Sequence, residues 1–264
     1  MSGARQWIGK IFLRTPAPLH AIRRLPIVGG WIHWLSHAVL PASERHWAQI
    51  QLGPAKGLWL ELNPRTGTNY LRGEAEDRVQ KTLVERLRPG MVFYDLGANI
   101  GLFSLLAARI VGAKGHVFSF EPDSIVATRL RSNIARNRFS NVTVIEKGVW
   151  SSSGEVNFVP ADTSSPDRGT GRFVAEQSET AVPLKCLALD DFVADHPPPH
   201  AIKCDVEGAE LEAMHGAEKL IRAHRPWILG EMHSDANARA WRQFLIRFGY
   251  LLEAVDGNHI FASP

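Results

Sequence analysis

Two hydrophobic periods take turns along most of this chain. Leu58-Trp59-Leu60-Glu61-Leu62 reads as a short strand and Asn63 to Gly67 as a turn. Glu74 to Leu87 then places Val79, Leu83, Val84 and Leu87 at helical spacing, and Pro89-Gly90 stops it. Strand signals follow at 91–94, 116–120, 142–145, 201–204 and 227–229, with helix signals at 102–110, 124–137, 209–223 and 236–248. Asp190-Asp191 opens a further helix, and the polar stretch 151–179 reads as a hairpin with a long exposed loop. The tail segments 250–255 and 259–261 flank Asp256-Gly257, a strong hairpin-turn signal. Repeated strand–helix units predict a mostly parallel sheet covered on both faces, and the closing hairpin adds one antiparallel edge strand. There is no internal repeat.

Residues 1–54 form a different compositional zone, read as a helical, basic and Trp-rich extension ahead of a domain spanning 55–264. Trp7, Ile8, Ile11 and Phe12 are interleaved with Arg5, Lys10 and Arg14, and a second apolar group from Trp31 to Leu40 follows Gly29-Gly30. Such a surface suits a packed helix, a second copy of the chain or peripheral membrane contact. The net charge of +3 and pI of about 9.0 arise largely here, from six basic residues (Arg5, Lys10, Arg14, Arg23, Arg24 and Arg45) against Glu44. The remainder is close to neutral, with no basic stripe of the kind nucleic acid demands. Apolar and charged shares of 45% and 22% are those of a globular protein. No apolar stretch has the length of a spanning helix, and no continuous apolar region follows Arg5 as in a secretory signal. Cys186 and Cys204 sit in apolar runs and read as reduced core residues. The expected location is cytoplasmic, with any membrane contact at the inner face.

The candidate chemistry begins at Val92-Phe93-Tyr94-Asp95-Leu96-Gly97-Ala98-Asn99-Ile100-Gly101. An apolar strand ends in an acid, and a glycine-rich turn leads into a helix. Ligands of open parallel sheets bind at the carboxyl ends of strands, and Gly97 and Gly101 would let backbone approach one closely. About twenty residues further on, a strand ends in Phe120-Glu121-Pro122, the spacing of a ribose-binding acid. The turn lacks the G-x-G-x-x-G spacing that seats a pyrophosphate. Asp95 would also repel a phosphate and attract an ammonium or sulfonium group, so the charge favours S-adenosylmethionine over NAD.

A second segment, Ile202-Lys203-Cys204-Asp205-Val206-Glu207-Gly208-Ala209-Glu210, gathers three acids at a strand end and helix start. Asp205 and Glu207 are the site candidates, and Glu210 has the alternative of serving as a helix-dipole partner. A third, Gly230-Glu231-Met232-His233, ends the next strand and projects Glu231 and His233 toward the same crevice. Asp205, Glu231 and His233 would also suit a hard divalent cation, although no metal is assigned to them. In a methyl transfer, His233, Glu207 or Glu231 is the candidate base, with Asp205 orienting the acceptor.

With these segments in place, the chain resembles the FkbM family of class I methyltransferases. The matching pieces are Phe93 to Gly101, Phe120-Glu121-Pro122, Leu189-Asp190-Asp191, Ile202 to Glu210, and Pro226 with Glu231. The resemblance runs from about residue 55 to the end. It implies a Rossmann-like α/β fold whose sheet has seven strands, the seventh antiparallel. It implies that Asp95, Gly97, Asn99 and Gly101 contact the methionine part of S-adenosylmethionine and that Glu121, followed by Pro122, holds the ribose. It also implies that Gly148 lies against the adenine and that Glu76, in Gly73-Glu74-Ala75-Glu76, lines the cofactor entrance. The implied acceptors are hydroxyls of sugars, glycans, lipid-linked molecules or polyketides. Two other readings make different demands: an NAD-dependent oxidoreductase needs the missing glycine pattern, and a non-catalytic membrane or partner scaffold leaves the gathered carboxylates without a purpose. The acceptor pocket, expected from residues 1–75 and the 160–180 loop, carries no readable code.

Overall fold

The computed structural model describes residues 44–159, 172–173 and 181–264; the basic extension before residue 44 and most of the 160–180 loop lie outside the described residues. The chain divides into two compact units, and residues 44–80 are the described part of the first. There β1 (His46–Gln49) pairs antiparallel with β2 (Trp59–Leu62), in register from His46 opposite Leu62 to Gln49 opposite Trp59. The part of the expected helical extension that is described is therefore a strand. It alternates buried and exposed residues, the period of a strand with one face turned to the interior. A short helix α1 (Thr68–Leu71) follows, and α2 (Asp77–Arg86) begins three residues later than the periodicity predicts. Glu76, at the residue before it, has a left-handed backbone with φ 46°.

The second unit holds the expected sheet. Its strands are β3 (Val92–Leu96), β4 (His116–Phe120), β5 (Val142–Ile145), β10 (Ala201–Cys204), β11 (Trp227–Glu231), β12 (Leu251–Ala254) and β13 (His259–Ser263), ordered β12-β13-β11-β10-β3-β4-β5. All run parallel except β13, which is antiparallel to its neighbours β11 and β12 at that end of the sheet. Helices α3 (Leu102–Val111), α4 (Ser124–Asn137) and α8 (Asp235–Arg247) connect successive strands. On one sheet face Tyr94, Phe118, Phe120 and Phe192 pack as tilted and edge-to-face pairs, with centroids 5.1–5.6 Å apart.

Two segments go beyond the predicted pattern. The polar stretch after residue 151 holds the expected hairpin, β7 (Gly154–Val159) antiparallel to β8 (Arg172–Phe173), within a second sheet completed by β6 (Gly148–Val149) and β9 (Val182–Leu187) in the order β6-β9-β7-β8. The helix expected over 209–223 is two helices, α6 (Glu210–His215) and α7 (Glu218–His224). The break has a tertiary cause. A Cβ on Gly216 would collide with the Trp150 carbonyl oxygen, and the Gly216 carbonyl accepts the Asp190 N–H at 2.8 Å instead of an intrahelical donor. Asp190, in the short helix α5 (Leu189–Phe192), then caps α7 by accepting the Lys219 and Leu220 N–H groups at 3.0 and 2.8 Å.

Candidate active site

At the carboxyl ends of β3, β4, β10 and β11 the second unit brings together every candidate except Glu76, which belongs to the first unit, and Gly148. Gly148 lies in the second sheet, paired with Cys186 of β9.

The turn after β3 is tightly determined. Gly97 (φ 77°) and Gly101 (φ 93°) both take left-handed backbone, and Asn99 does so with φ 49°. A Cβ on Gly97 would meet the Asp205 carbonyl oxygen, and one on Gly101 would meet Leu130, so both positions need a glycine for the protein's own packing. The turn is tied to β4 by the Gly97 and Ala98 N–H groups, which donate to the Phe120 carbonyl at 3.0 and 2.9 Å. Glu121 is buried and bridges two segments. Its Oε2 accepts the Asn99 N–H at 2.9 Å, and its Oε1 accepts the Asp123 N–H at 3.0 Å. Burial pushes its carboxyl up to about 7, against the pull of those two N–H groups. Pro122 separates it from Asp123, which caps α4 through the Ile125 and Val126 N–H groups.

Asp95 is fully buried, and its Oδ2 accepts the Ser104 hydroxyl at 2.5 Å; that hydroxyl also lies 2.7 Å from the Ser119 hydroxyl. The strand registers align Ser119, Asp95 and Lys203 side by side on β4, β3 and β10, so all three occupy one sheet face. Lys203 is 1% exposed, its Nζ donates to Asp205 Oδ2 at 2.8 Å, and it lies 4.7 Å from the centre of the Phe103 ring. Burial alone would raise the Asp205 carboxyl, but the Lys203 ammonium and the charge of His233 outweigh it and hold Asp205 below the ordinary carboxylate range.

Glu210 organises the other side. It opens α6, the helix-terminal place considered for it, yet it is 0% exposed. Its Oε1 accepts the Val206 and Gly208 N–H groups at 3.3 and 3.0 Å and the His233 Nδ1–H at 2.9 Å. Its Oε2 takes the Asn237 side-chain amide of α8. Anchored at Nδ1, His233 turns Nε2 toward Glu207 Oε2 at 3.4 Å and Asp205 Oδ1 at 3.6 Å. The Glu210 hydrogen bond pushes the imidazole up to about 9, more than burial lowers it. Burial raises Glu207 in turn, against the His233 charge.

Asp205, Glu231 and His233 each offer one ligand atom within 4.8 Å of the others. Lys203 pairs with Asp205 beside this set, and no metal is assigned to it.

Glu207 has φ 52°, a left-handed conformation that costs a non-glycine residue on the order of 1–2 kcal/mol. Glu207→Gly is therefore expected to be more stable than Glu207→Ala by about 1 kcal/mol in denaturant unfolding. Equal midpoints would show that the strain is absent.

Lys203, Glu210, Ser104 and Asn237 were not among the expected site residues. Lys203 had a legible signal, a charged residue inside the apolar strand 201–204 with an acid two positions on and hence on the same face. The others become site residues only through tertiary contacts.

Known proteins share these segments. The Methyltransferase FkbM domain family model matches residues 95–252, from Asp95 into β12. The chain is 32% identical over 171 residues to hexuronic acid methyltransferase AglP of Haloferax volcanii, covering 64% of this chain and 66% of that protein. It is 36% identical over 91 residues to 31-O-demethyl-FK506 methyltransferase FkbM of Streptomyces tacrolimicus, covering 34% of this chain and 30% of that protein. The matches thus span just under two thirds of the first relative and less than a third of the second. Among solved structures, methyltransferase FkbM of Methylobacillus flagellatus is 19% identical with a TM-score of 0.49, covering 75% of this chain and 54% of that one. More than half of the chain, including Asp95, Glu121, Asp205, Glu207, Glu231 and His233, falls within the matched family model, and the chain belongs to the FkbM methyltransferase domain family.

Proposed function

We propose that the chain transfers a methyl group from S-adenosylmethionine to a hydroxyl of a sugar or sugar-bearing acceptor. The observation that carries this reading is Glu121. At the first turn of a helix that follows a strand, a dinucleotide's phosphate would claim the backbone N–H groups. Here the Asn99 N–H is already given to a buried carboxylate. An acid in that place takes ribose hydroxyls with its remaining lone pairs, and the buried Asp95 on the neighbouring strand adds the charge that disfavours a phosphate. Asp95, Gly97, Asn99 and Gly101 would line the methionine part, with Pro122 and Gly148 contributing at the ribose and the adenine.

When bound, S-adenosylmethionine supplies a methyl carbon on positive sulfur, open to in-line displacement by an oxygen. The residues around it align the acceptor, exclude water and take its proton. Protonated His233 is a poor base at neutral pH, which leaves Glu207 to receive the hydroxyl proton. Asp205, fixed by Lys203, orients the acceptor, and Glu231 borders the same space. The charge of His233 keeps Glu207 aimed and stabilises it once ionised. The rate is expected to rise as Glu207 ionises and to fall as His233 loses its proton near pH 9. His233→Gln should lack the alkaline fall. A wild-type profile flat between pH 8 and 10 would remove His233 from this role.

A sugar acceptor is favoured by the similarity to a protein named for hexuronic acid. No helix among the described residues is long and apolar enough to cross a membrane. A cytoplasmic location with acceptors reaching the site from water or from the inner membrane face is part of the same proposal. The test is incubation with methyl-labelled S-adenosylmethionine and a panel of uronic-acid glycosides, neutral glycosides, lipid-linked sugars and polyketides, followed by mass analysis. Label on a sugar oxygen is expected. Label on nitrogen, or on none of the panel while the cofactor binds, would overturn the acceptor class.

A further inference from the structure

We propose that His259 is a positioning residue for this site, the middle member of a chain Asp256–His259–Glu231 that holds the Glu231 carboxylate against Asp205 and His233. The proposal rests on the reading of the site given above and extends it to the closing hairpin, whose Asp256-Gly257 turn otherwise has only a folding role.

His259 opens β13, directly across from Glu231 at the end of β11. Its ring is 6% exposed and has a carboxylate at each nitrogen: Nδ1 lies 2.9 Å from Asp256 Oδ1, and Nε2 lies 3.3 Å from Glu231 Oε2. Asp256 is itself immobilised, because Oδ1 also accepts the Asn258 and His259 N–H groups at 3.0 and 2.9 Å. The turn thus fixes Asp256, Asp256 fixes the ring at Nδ1, and the ring holds Nε2 at ion-pair distance from Glu231 Oε2. Glu231 needs such a hold. Its side chain is 20% exposed, and its carboxylate must stay within 4.8 Å of the facing atoms of Asp205 and His233, two groups that bear on the acceptor. A glutamate free to turn toward water would lose that placement, and misplacement by about 1 Å at a reacting centre costs up to about 100-fold in rate.

The experiment uses the full chain labelled with 13C at glutamate carboxyls, the Glu231 resonance being identified by its loss in Glu231→Gln. In His259→Phe that resonance should move, and methyl transfer to methyl glucuronoside should fall about 10- to 100-fold with S-adenosylmethionine affinity unchanged. His259→Gln, whose amide offers an N–H close to the place of Nε2, should restore the resonance and most of the turnover. Asp256→Asn should fall between the two. An unmoved Glu231 resonance in His259→Phe would overturn the proposal. So would equal losses in His259→Phe and His259→Gln that follow melting temperature alone, since His259 would then only pack the hairpin. If wild-type chain fails to methylate the glucuronoside, the acceptor reading fails, and the resonance comparison still decides the positioning role.

Discussion

Glu210→Ala is expected to destabilise the chain by about 3–5 kcal/mol and to abolish turnover. The carboxylate is fully buried and receives donors from Val206, Gly208, His233 and Asn237. Truncation strands two backbone N–H groups of the 206–209 turn and removes the counter-charge of His233. Glu210→Gln keeps the shape but loses the charge, so its cost should be smaller, about 1.5–3 kcal/mol. The two variants separate electrostatics from packing.

The same contact makes stability depend on pH. Folding raises the His233 pKa from 6.5 to about 9, so the folded state binds the proton more tightly. That contribution is whole below about pH 6.5 and is lost as pH climbs through about 9. Wild-type melting temperature should fall over this window, and Glu210→Ala, which removes the largest of the interactions that raise His233, should show a smaller fall. Identical slopes in the two proteins would refute the assignment.

The second large effect is at Lys203. Lys203→Met should cost about 3–5 kcal/mol, because it leaves Asp205 with its buried ammonium partner gone. Asp205→Asn in the same chain should recover most of the loss, since a neutral amide needs no counter-charge. Equilibrium unfolding of the two single variants and the double variant measures this directly. If the double variant is as unstable as Lys203→Met, the lysine acts through contacts other than its pair with Asp205.

The strands at 116–120, 142–145 and 201–204 and the helix at 124–137 stand where their periodicity places them. In each, burial on the sheet or one amphipathic stripe dominates, and that information is local. The break at Gly216 was not legible because its cause, the Trp150 carbonyl, lies 66 positions earlier in the chain. Gly97 and Gly101 are legible as positions that need a glycine, but their close neighbours inside the protein, Asp205 and Leu130, are not. The acids at strand ends could be read as a site because a parallel sheet delivers strand ends to one edge. Which acid is free to act could not, because that depends on Lys203, Glu210 and His233 meeting across three elements. His233 illustrates the difference: by residue type it is a base, whereas beside Glu210 it is a cation.

Calorimetry of the full chain with S-adenosylmethionine, its demethylated product and NADH bears most directly on the account, run on wild type and Glu121→Ala. Both sulfur ligands are predicted to bind the wild type, NADH is not, and Glu121→Ala should weaken the sulfur ligands by roughly 10- to 100-fold, the loss of one or two hydrogen bonds to a charged group. Binding of NADH without S-adenosylmethionine, or unchanged affinity in Glu121→Ala, would contradict it.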